Sequence, residues 1–522
     1  MATSLEQRLA FFAAAPRQHL LRQIQRGIEK ESLRADQEGI LAQTGHPEAF
    51  GSALTHPSIT TDFSEALLEF ITPVSDSIDD TLNELDAIHR FAVSELGDET
   101  IWNASMPCRL GETDDAIPVA RFGSSNTATM KTRYRLGLGH RYGRKMQTIA
   151  GIHYNFSLPK SVWEELHAAE NSELPLKTYI TNNYFGLIRN FRRYAWLLIY
   201  LFGAAPAVSR CFLNGKPHQL QPLGKYTLYG PHATSLRMGD LGYQSDAQKN
   251  LHICYNHLDF YVETLKGAIT TSHGDYEKIP AGEQLSSGLL QIENEFYSPI
   301  RPKRVTESGE IPLGALRRGG VEYIEVRCID VNPMLPLGIN AEQIRFIDAF
   351  LLYCLYKDSP PCDDDHNAEI SSNLLSVVNK GREPKLELTQ DGSPRELAAW
   401  AEELIGDIGR IADQLDTAHG GEAYQQSCQA QLAKVHDISL TPSAQIVAAL
   451  EQGGDGYYHY AMKQSLQHAE TFRERGLSSD ESQRFTAMRE ASVAAPASVE
   501  AEQQDESFDD YLHRFYLQYQ DL

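Results

Sequence analysis

Apolar and polar positions follow two different periods along this chain. Four stretches of the first two thirds read as strands, in which residues i and i+2 share a face. Residues 26–33 put Glu29 and Glu31 on one face. Residues 151–157 set Ile152, Tyr154 and Phe156 against His153, Asn155 and Ser157. Residues 321–328 set Ile324, Val326 and Cys328 against Tyr323, Glu325 and Arg327. Residues 66–73 hold Glu69 as the only charge in an apolar run that Pro73 ends. Asp62 and Glu65 could cap that run as a helix, but its EFITP ending favours a strand.

Helical spacing takes over elsewhere. Leu5, Leu9, Phe12 and Leu20 predict an amphipathic helix over 1–25. Residues 341–356 and 395–415 are apolar at helical spacing, with 360–366 as a polar loop before the second. An Ala/Ser/Pro stretch at 491–502 precedes an acidic end. There Phe508, Tyr511, Leu512 and Phe515 recur at i, i+3, i+4 and i+7 and predict a last helix. The expected class is α+β: a sheet core over about 20–340, a helical part over about 340–480, and an acidic tail helix over about 490–522, all in one domain.

The 522 residues carry a net charge of −23, which argues against nucleic acid or an anionic membrane as partner. The seven cysteines form no CxxC and suit a reducing compartment better than a disulfide framework. The N-terminus lacks a basic segment before its short apolar run, so it does not read as a signal peptide. The longest uncharged run, between Arg193 and Arg210, has 16 residues including Gly203 and Pro206. It is too short for a membrane span and reads as a buried helix. A cytoplasmic protein is expected.

One region departs from the acidic trend. Residues 116–163 contain no Asp or Glu but hold Arg121, Lys131, Arg133, Arg135, Arg141, Arg144, Lys145 and Lys160. Either this is a positive lobe facing an anion such as a nucleoside triphosphate, or its cations pair with acids elsewhere in the fold.

Common catalytic motifs are absent. There is no P-loop, no HExxH and no GxSxG. The glycines at 137, 139 and 143 are spaced one residue too far for a dinucleotide fingerprint. The strand faces offer Glu29, Glu31, Glu69, Glu325 and one imidazole, His153. That hard-oxygen set suits Mg²⁺ or Mn²⁺ held together with phosphate oxygens, and not zinc. Arg327 shares a face with Glu325 and could clamp a transferring phosphoryl group. Half-solvated strands with polar residues facing water would give the same alternation in any single segment. The Glu69 run fits that reading badly, because apolar residues flank the acid on both faces.

The segments QRGIEKESLR, TDFSEALLEFITPV, MQTIAGIHYNFSLP, ATSLRMGDLGY, LQIENEFYSPIRPKR and RGGVEYIEVRCIDVNP carry a resemblance. The chain resembles the bacterial glutamate–cysteine ligases (γ-glutamylcysteine synthetases) of enteric type, which belong to the glutamine-synthetase-like ligases. The resemblance implies a curved antiparallel sheet forming a funnel for metals, ATP and amino acids. It implies that ATP activates the γ-carboxylate of glutamate as a γ-glutamyl phosphate, which the amine of cysteine attacks in the first step of glutathione biosynthesis. Residue by residue it implies Glu29, Glu31, Asp62, Glu69, His153 and Glu325 as ligands for Mg²⁺ or Mn²⁺, and Arg327 as the phosphoryl-stabilising group. It places Arg237, Tyr243 and Tyr297 on substrate amino acids and leaves the nucleotide-binding residues unknown. Glu293 and Glu295 are either further ligands or salt-bridge partners of the basic span. A monomer is expected. The alternative reading is a related ligase that joins glutamate to another amine, and a non-catalytic relative would lack one of these groups.

Overall fold

The computed structural model describes residues 5–522 except 214, 216, 242–247, 249–250, 308, 455 and 504. It has the expected α+β architecture. The first strands are β1 (Gln25–Ala35), β2 (Ile59–Thr61), β3 (Leu67–Ile71), β4 (Thr100–Trp102) and β5 (Ile152–Ser157). A separate three-stranded sheet follows, made of β6 (Ala207–Ser209), β7 (Gln221–Leu223) and β8 (Thr227–Tyr229). Then come β9 (Ile300–Lys303) and β10 (Tyr323–Ile329). The main sheet runs β2-β3-β1-β5-β10-β9, with β4 also paired to β1, and every pairing is antiparallel.

All four alternating segments are strands, including 66–73, where a helix was the other option. One sheet face is apolar and fully buried. Ile28, Phe70, Ile152, Tyr154, Ile324 and Val326 belong to a core cluster that extends from Leu9 to Tyr519. The helix Ala341–Tyr356, nearly all of it buried, packs beneath. Its Asp348 has no exposed surface and takes 2.8 Å from Arg26 of β1 and 2.6 Å from the Tyr154 hydroxyl of β5. This buried pair ties the two central strands together from below.

Four expectations shift. The first helix stops at Ala13, and a 3₁₀ turn at Gln18–Gln23 follows; Pro16 cannot continue an α-helix because it lacks an N–H. The uncharged run splits. The helix Leu176–Phe202 takes most of it, and β6 takes the end. The break falls at Gly203, where a Cβ would sit 2.8 Å from the Thr234 carbonyl. The polar loop ends early, because Asp363 caps the helix Asp364–Lys380 by accepting from His366 N at 2.9 Å. The Ala/Ser/Pro stretch is helical, within Ser479–Gln503. The last helix forms as expected, at Phe508–Gln520.

Candidate active site

Register does the first part of the assembly. On the antiparallel ladders Glu31 lies opposite Glu69, Glu29 opposite His153, and Glu325 opposite Asn155. The period-two faces of four separate segments thus converge on one side of the sheet. Above them is a cavity of about 1490 Å³. Glu29, Glu31, Asp62, Glu69, His153, Glu325, Arg327 and Tyr297 all line it.

His153 is the hub. Its Nδ1 lies 3.3 Å from Glu29 and 3.9 Å from Glu325, and its Nε2 lies 3.5 Å from Glu31. Glu29, Glu69 and His153 each present a ligand atom within 4.8 Å of the others, a spacing that could hold a metal ion. The carboxylates differ in their support. Glu325 has Arg327 at 3.1 Å and Lys303 at 3.4 Å. Burial opposes its charge, but these cations hold its pKa well below the usual carboxylate range. Glu29 accepts 2.9 Å from Asn155, and His153 outweighs its burial to keep it low. Glu31 accepts from the Gly151 N–H at 2.6 Å, yet burial raises its pKa. Glu69 has least support. No hydrogen bond or ion pair reaches its carboxylate among the described residues. Burial, then Glu29, Asp62 and Glu31, push its pKa well above normal.

A divalent cation fits this donor set. Five acids, four of them on the sheet, share one cavity with an imidazole, and the acid with no partner lies among the others. Asp62 stands at the rim, with its carboxylate 3.9 Å from Arg135.

Arg327 reaches Glu325 and lies 3.4 Å from His153 Nδ1. Burial works against its charge, but Glu325, Glu31 and Glu29 more than offset this. Tyr297 faces the cavity, and its hydroxyl lies 3.0 Å from Met238 Sδ. Arg237 is buried behind β10, donating 2.7 Å to the Arg327 carbonyl with Asp330 3.8 Å away. It is beside the site and not among the residues lining the cavity. Tyr243 lies outside the described residues.

The acid-free span resolves into two populations. Lys131 and Arg135 line the cavity from the helix Asn126–Tyr142. Burial and the neighbouring Arg135 pull the Lys131 ammonium down to about 8. Arg141 and Arg144 are structural: Arg141 pairs with buried Glu295 at 2.9 Å, and Arg144 meets Asp115 at 3.7 Å. Glu295 is therefore a salt-bridge partner of the basic span. Glu293 instead accepts from Leu313 N at 2.9 Å and from the Tyr519 hydroxyl. Glycine 137 lies inside this helix because a Cβ there would sit 2.2 Å from Gln291 Oε1. Asn155, Lys131 and Arg135 carry no individual role in the sequence pattern. The i, i+4 spacing of the two cations was the available sign that they share a helix face.

Sheet, acid cluster and cation-walled funnel together define an α+β ligase. The chain's fold matches the crystal structure of glutamate–cysteine ligase from Francisella tularensis in complex with AMP, with a TM-score of 0.89, 38% identity, and coverage of 95% of this chain and 98% of that one. It also matches a bifunctional glutathione synthetase from Pasteurella multocida, with a TM-score of 0.72 and 26% identity over 88% of this chain and 54% of that one. Glutamate–cysteine ligases of Pseudomonas paraeruginosa and Pseudomonas aeruginosa are 51% and 50% identical over 98% of both chains. The family model for glutamate-cysteine ligase matches residues 9–377. The chain belongs to the glutamate–cysteine ligase family.

Proposed function

We propose that the protein joins the γ-carboxylate of L-glutamate to the amine of L-cysteine at the expense of ATP. A γ-carboxylate oxygen attacks the terminal phosphorus, the bond to ADP breaks, and a γ-glutamyl phosphate forms. The cysteine amine then attacks the acyl carbon, phosphate leaves, and the amine loses a proton. Activation is needed because a carboxylate oxygen is a poor leaving group and phosphate a good one.

The observation that carries this reading is the partnerless Glu69 within a four-carboxylate cluster under a cation-walled cavity. In this reading Glu29, Glu31, Asp62, Glu69, His153 and Glu325 hold Mg²⁺ or Mn²⁺. When bound, these ions neutralise the triphosphate and the incoming carboxylate. Asn155 fixes the Glu29 carboxylate. Arg327 stays charged beside Glu325 and stabilises the phosphoryl group in transfer. Arg237, Tyr243 and Tyr297 serve the substrate amino acids; Arg237 would do so from its place against β10. The chain acts as one catalytic unit, because its last helix helps line the same cavity. All seven cysteines are unpaired, which suits the cytoplasm. No helix among the described residues is long and apolar enough to cross a membrane. The catalytic groups all come from one chain, so a monomer suffices.

The test is ADP release by purified protein supplied with ATP, Mg²⁺ and glutamate. Cysteine should produce turnover well above 2-aminobutyrate, alanine or no acceptor. Absence of ADP release on adding cysteine would overturn the reading, and equal rates with all amines would favour a ligase of different acceptor.

A further inference from the structure

The last helix does more than cover the surface. It spans the mouth of the catalytic cavity and touches both of its walls. Its Tyr511, Arg514 and Phe515 line the same cavity as the acid cluster, and so do Gln503 at the end of the preceding helix and Glu506 between the two helices.

On one side stands the helix that carries Lys131 and Arg135. Gln503 accepts 3.1 Å from Thr127 N and donates 2.8 Å to the Thr127 hydroxyl. This satisfies an N–H in the first turn that has no partner within the helix. Asn126 donates 2.9 Å to the Glu506 carbonyl. The Arg133 guanidinium lies 4.1 Å above the Phe508 ring. On the other side stands the segment 291–303, which carries Tyr297, Arg301 and Lys303. Tyr516 donates 2.7 Å to the Gln291 carbonyl, and the fully buried Tyr519 donates to Glu293. A third tie is Gln518, which accepts 3.1 Å from Ile311 N and donates 2.9 Å to the Gly309 carbonyl.

The walls also meet each other directly, through Gln291 to the Tyr134 carbonyl at 3.1 Å and through Arg141 to Glu295. The tail adds a second line of contact between the same two walls, and two lines fix an angle that one leaves free to hinge.

We propose that the end of the helix Ser479–Gln503 and the last helix together form a strap that holds the cation-bearing helix and the 291–303 segment at their working separation, with Gln503 and Tyr519 as its positioning residues. Neither side chain touches the acid cluster. Their effect passes through Thr127 and Glu293 to the cations and Tyr297 that face substrate. The proposal rests on the ligase reading for its kinetic arm and is independent of it for its structural arm.

The experiment compares the full chain with a chain lacking residues 503–522 and with the double variant Gln503→Ala/Tyr519→Phe, which keeps the helix. Hydrogen exchange should rise in both altered proteins over 126–142 and 291–303 and stay unchanged in β1 and β5. KM for at least one of ATP, glutamate and cysteine should rise about tenfold on truncation with kcat changed far less, the pattern of lost binding rather than lost chemistry. If the truncated chain does not fold, the double variant decides alone. Unchanged KM values for all three substrates, or exchange that rises only within 503–522, would overturn the strap. An inactive full-length protein would count against the ligase reading and leave the exchange comparison to judge the strap.

Discussion

Replacing Glu69 by glutamine separates the cost of the acid cluster from its use. Glu69 and Glu29 offer oxygens within 4.8 Å of each other. Two like charges at that distance repel by about 1 kcal/mol at the dielectric constant of water and about 3.5 kcal/mol at an effective value of 20. Glu69 has no hydrogen-bond partner among the described residues to offset this; burial raises its pKa first, and the Glu29 charge adds to it. The amide keeps the shape and removes the charge. Without divalent ions, Glu69→Gln should therefore be more stable than wild type by about 1–3.5 kcal/mol. Unfolding entropies of ~2.1 cal/mol/K per residue give about 1.1 kcal/mol per degree for 522 residues. The melting temperature in EDTA should rise by about 1–3 °C.

Mg²⁺ should remove most or all of that lead. A ligand at 100 times its Kd stabilises a folded protein by about 2.7 kcal/mol, or about 2.5 °C here. Wild type should gain that rise, and Glu69→Gln should gain much less of it. Scanning calorimetry in EDTA and in saturating Mg²⁺ provides the four melting temperatures. A variant less stable than wild type in EDTA, or one with an undiminished Mg²⁺ response, would refute Glu69 as a strained metal ligand.

Three further outcomes are expected. Arg327→Ala should lower kcat by about 10²–10³, the size of losing one preorganised charge-stabilising donor, while Lys303 still pairs Glu325 and the melting temperature stays near that of wild type; equal losses in both would make Arg327 structural. Asp348→Ala should destabilise the protein by about 3–5 kcal/mol, because it leaves the Arg26 charge buried without a partner, and denaturant unfolding measures this. Hydrogen bonding to Arg90 holds the Glu481 carboxylate at about 2. A depressed carboxylate contributes stability that is complete above its unfolded value of 4.5 and fades as pH falls toward 2. The urea midpoint of wild type should accordingly exceed that of Glu481→Gln at pH 6, and the gap should shrink between pH 4.5 and 3; a constant gap would count against the pairing.

How much was legible follows from which interactions are local. The strand faces of 26–33, 66–73, 151–157 and 321–328 were readable because side-chain direction in a strand has a period of two and needs no partner. Six of the residues lining the cavity, Glu29, Glu31, Glu69, His153, Glu325 and Arg327, came from those strand segments. Asp62 lies at the end of β2, beyond any alternating run, and only the family resemblance marked it. The order β2-β3-β1-β5-β10-β9 was not legible, since pairing depends on distant segments. The surroundings of Arg237 were not legible either: the fold buries it against the Arg327 carbonyl at 2.7 Å, with Asp330 3.8 Å away and room left by the missing side chain of Gly151. The first helix failed for a local reason that was visible, Pro16, because apolar spacing was weighed above it.

The basic span explains how an acidic protein comes to hold anionic substrates. A net charge of −23 would repel a triphosphate if it were spread evenly. It is not spread evenly. Arg141 and Arg144 are occupied by Glu295 and Asp115, so they rigidify the helix and its flank without adding field in the cavity. Lys131 and Arg135 face inward, and Arg135 has only the rim acid Asp62, 3.9 Å away, as an ion-pair partner among the described residues. The helix thus has a buried, short ion pair at Arg141 and loosely paired cations at Lys131 and Arg135. The first fixes the direction of the helix, and the second then point at the carboxylates on the sheet across the cavity. The acids at the bottom would hold metal and the cations at the wall would hold what the metal binds. Burial that lowers the Lys131 ammonium to about 8 also leaves it little solvent to surrender when an anion arrives.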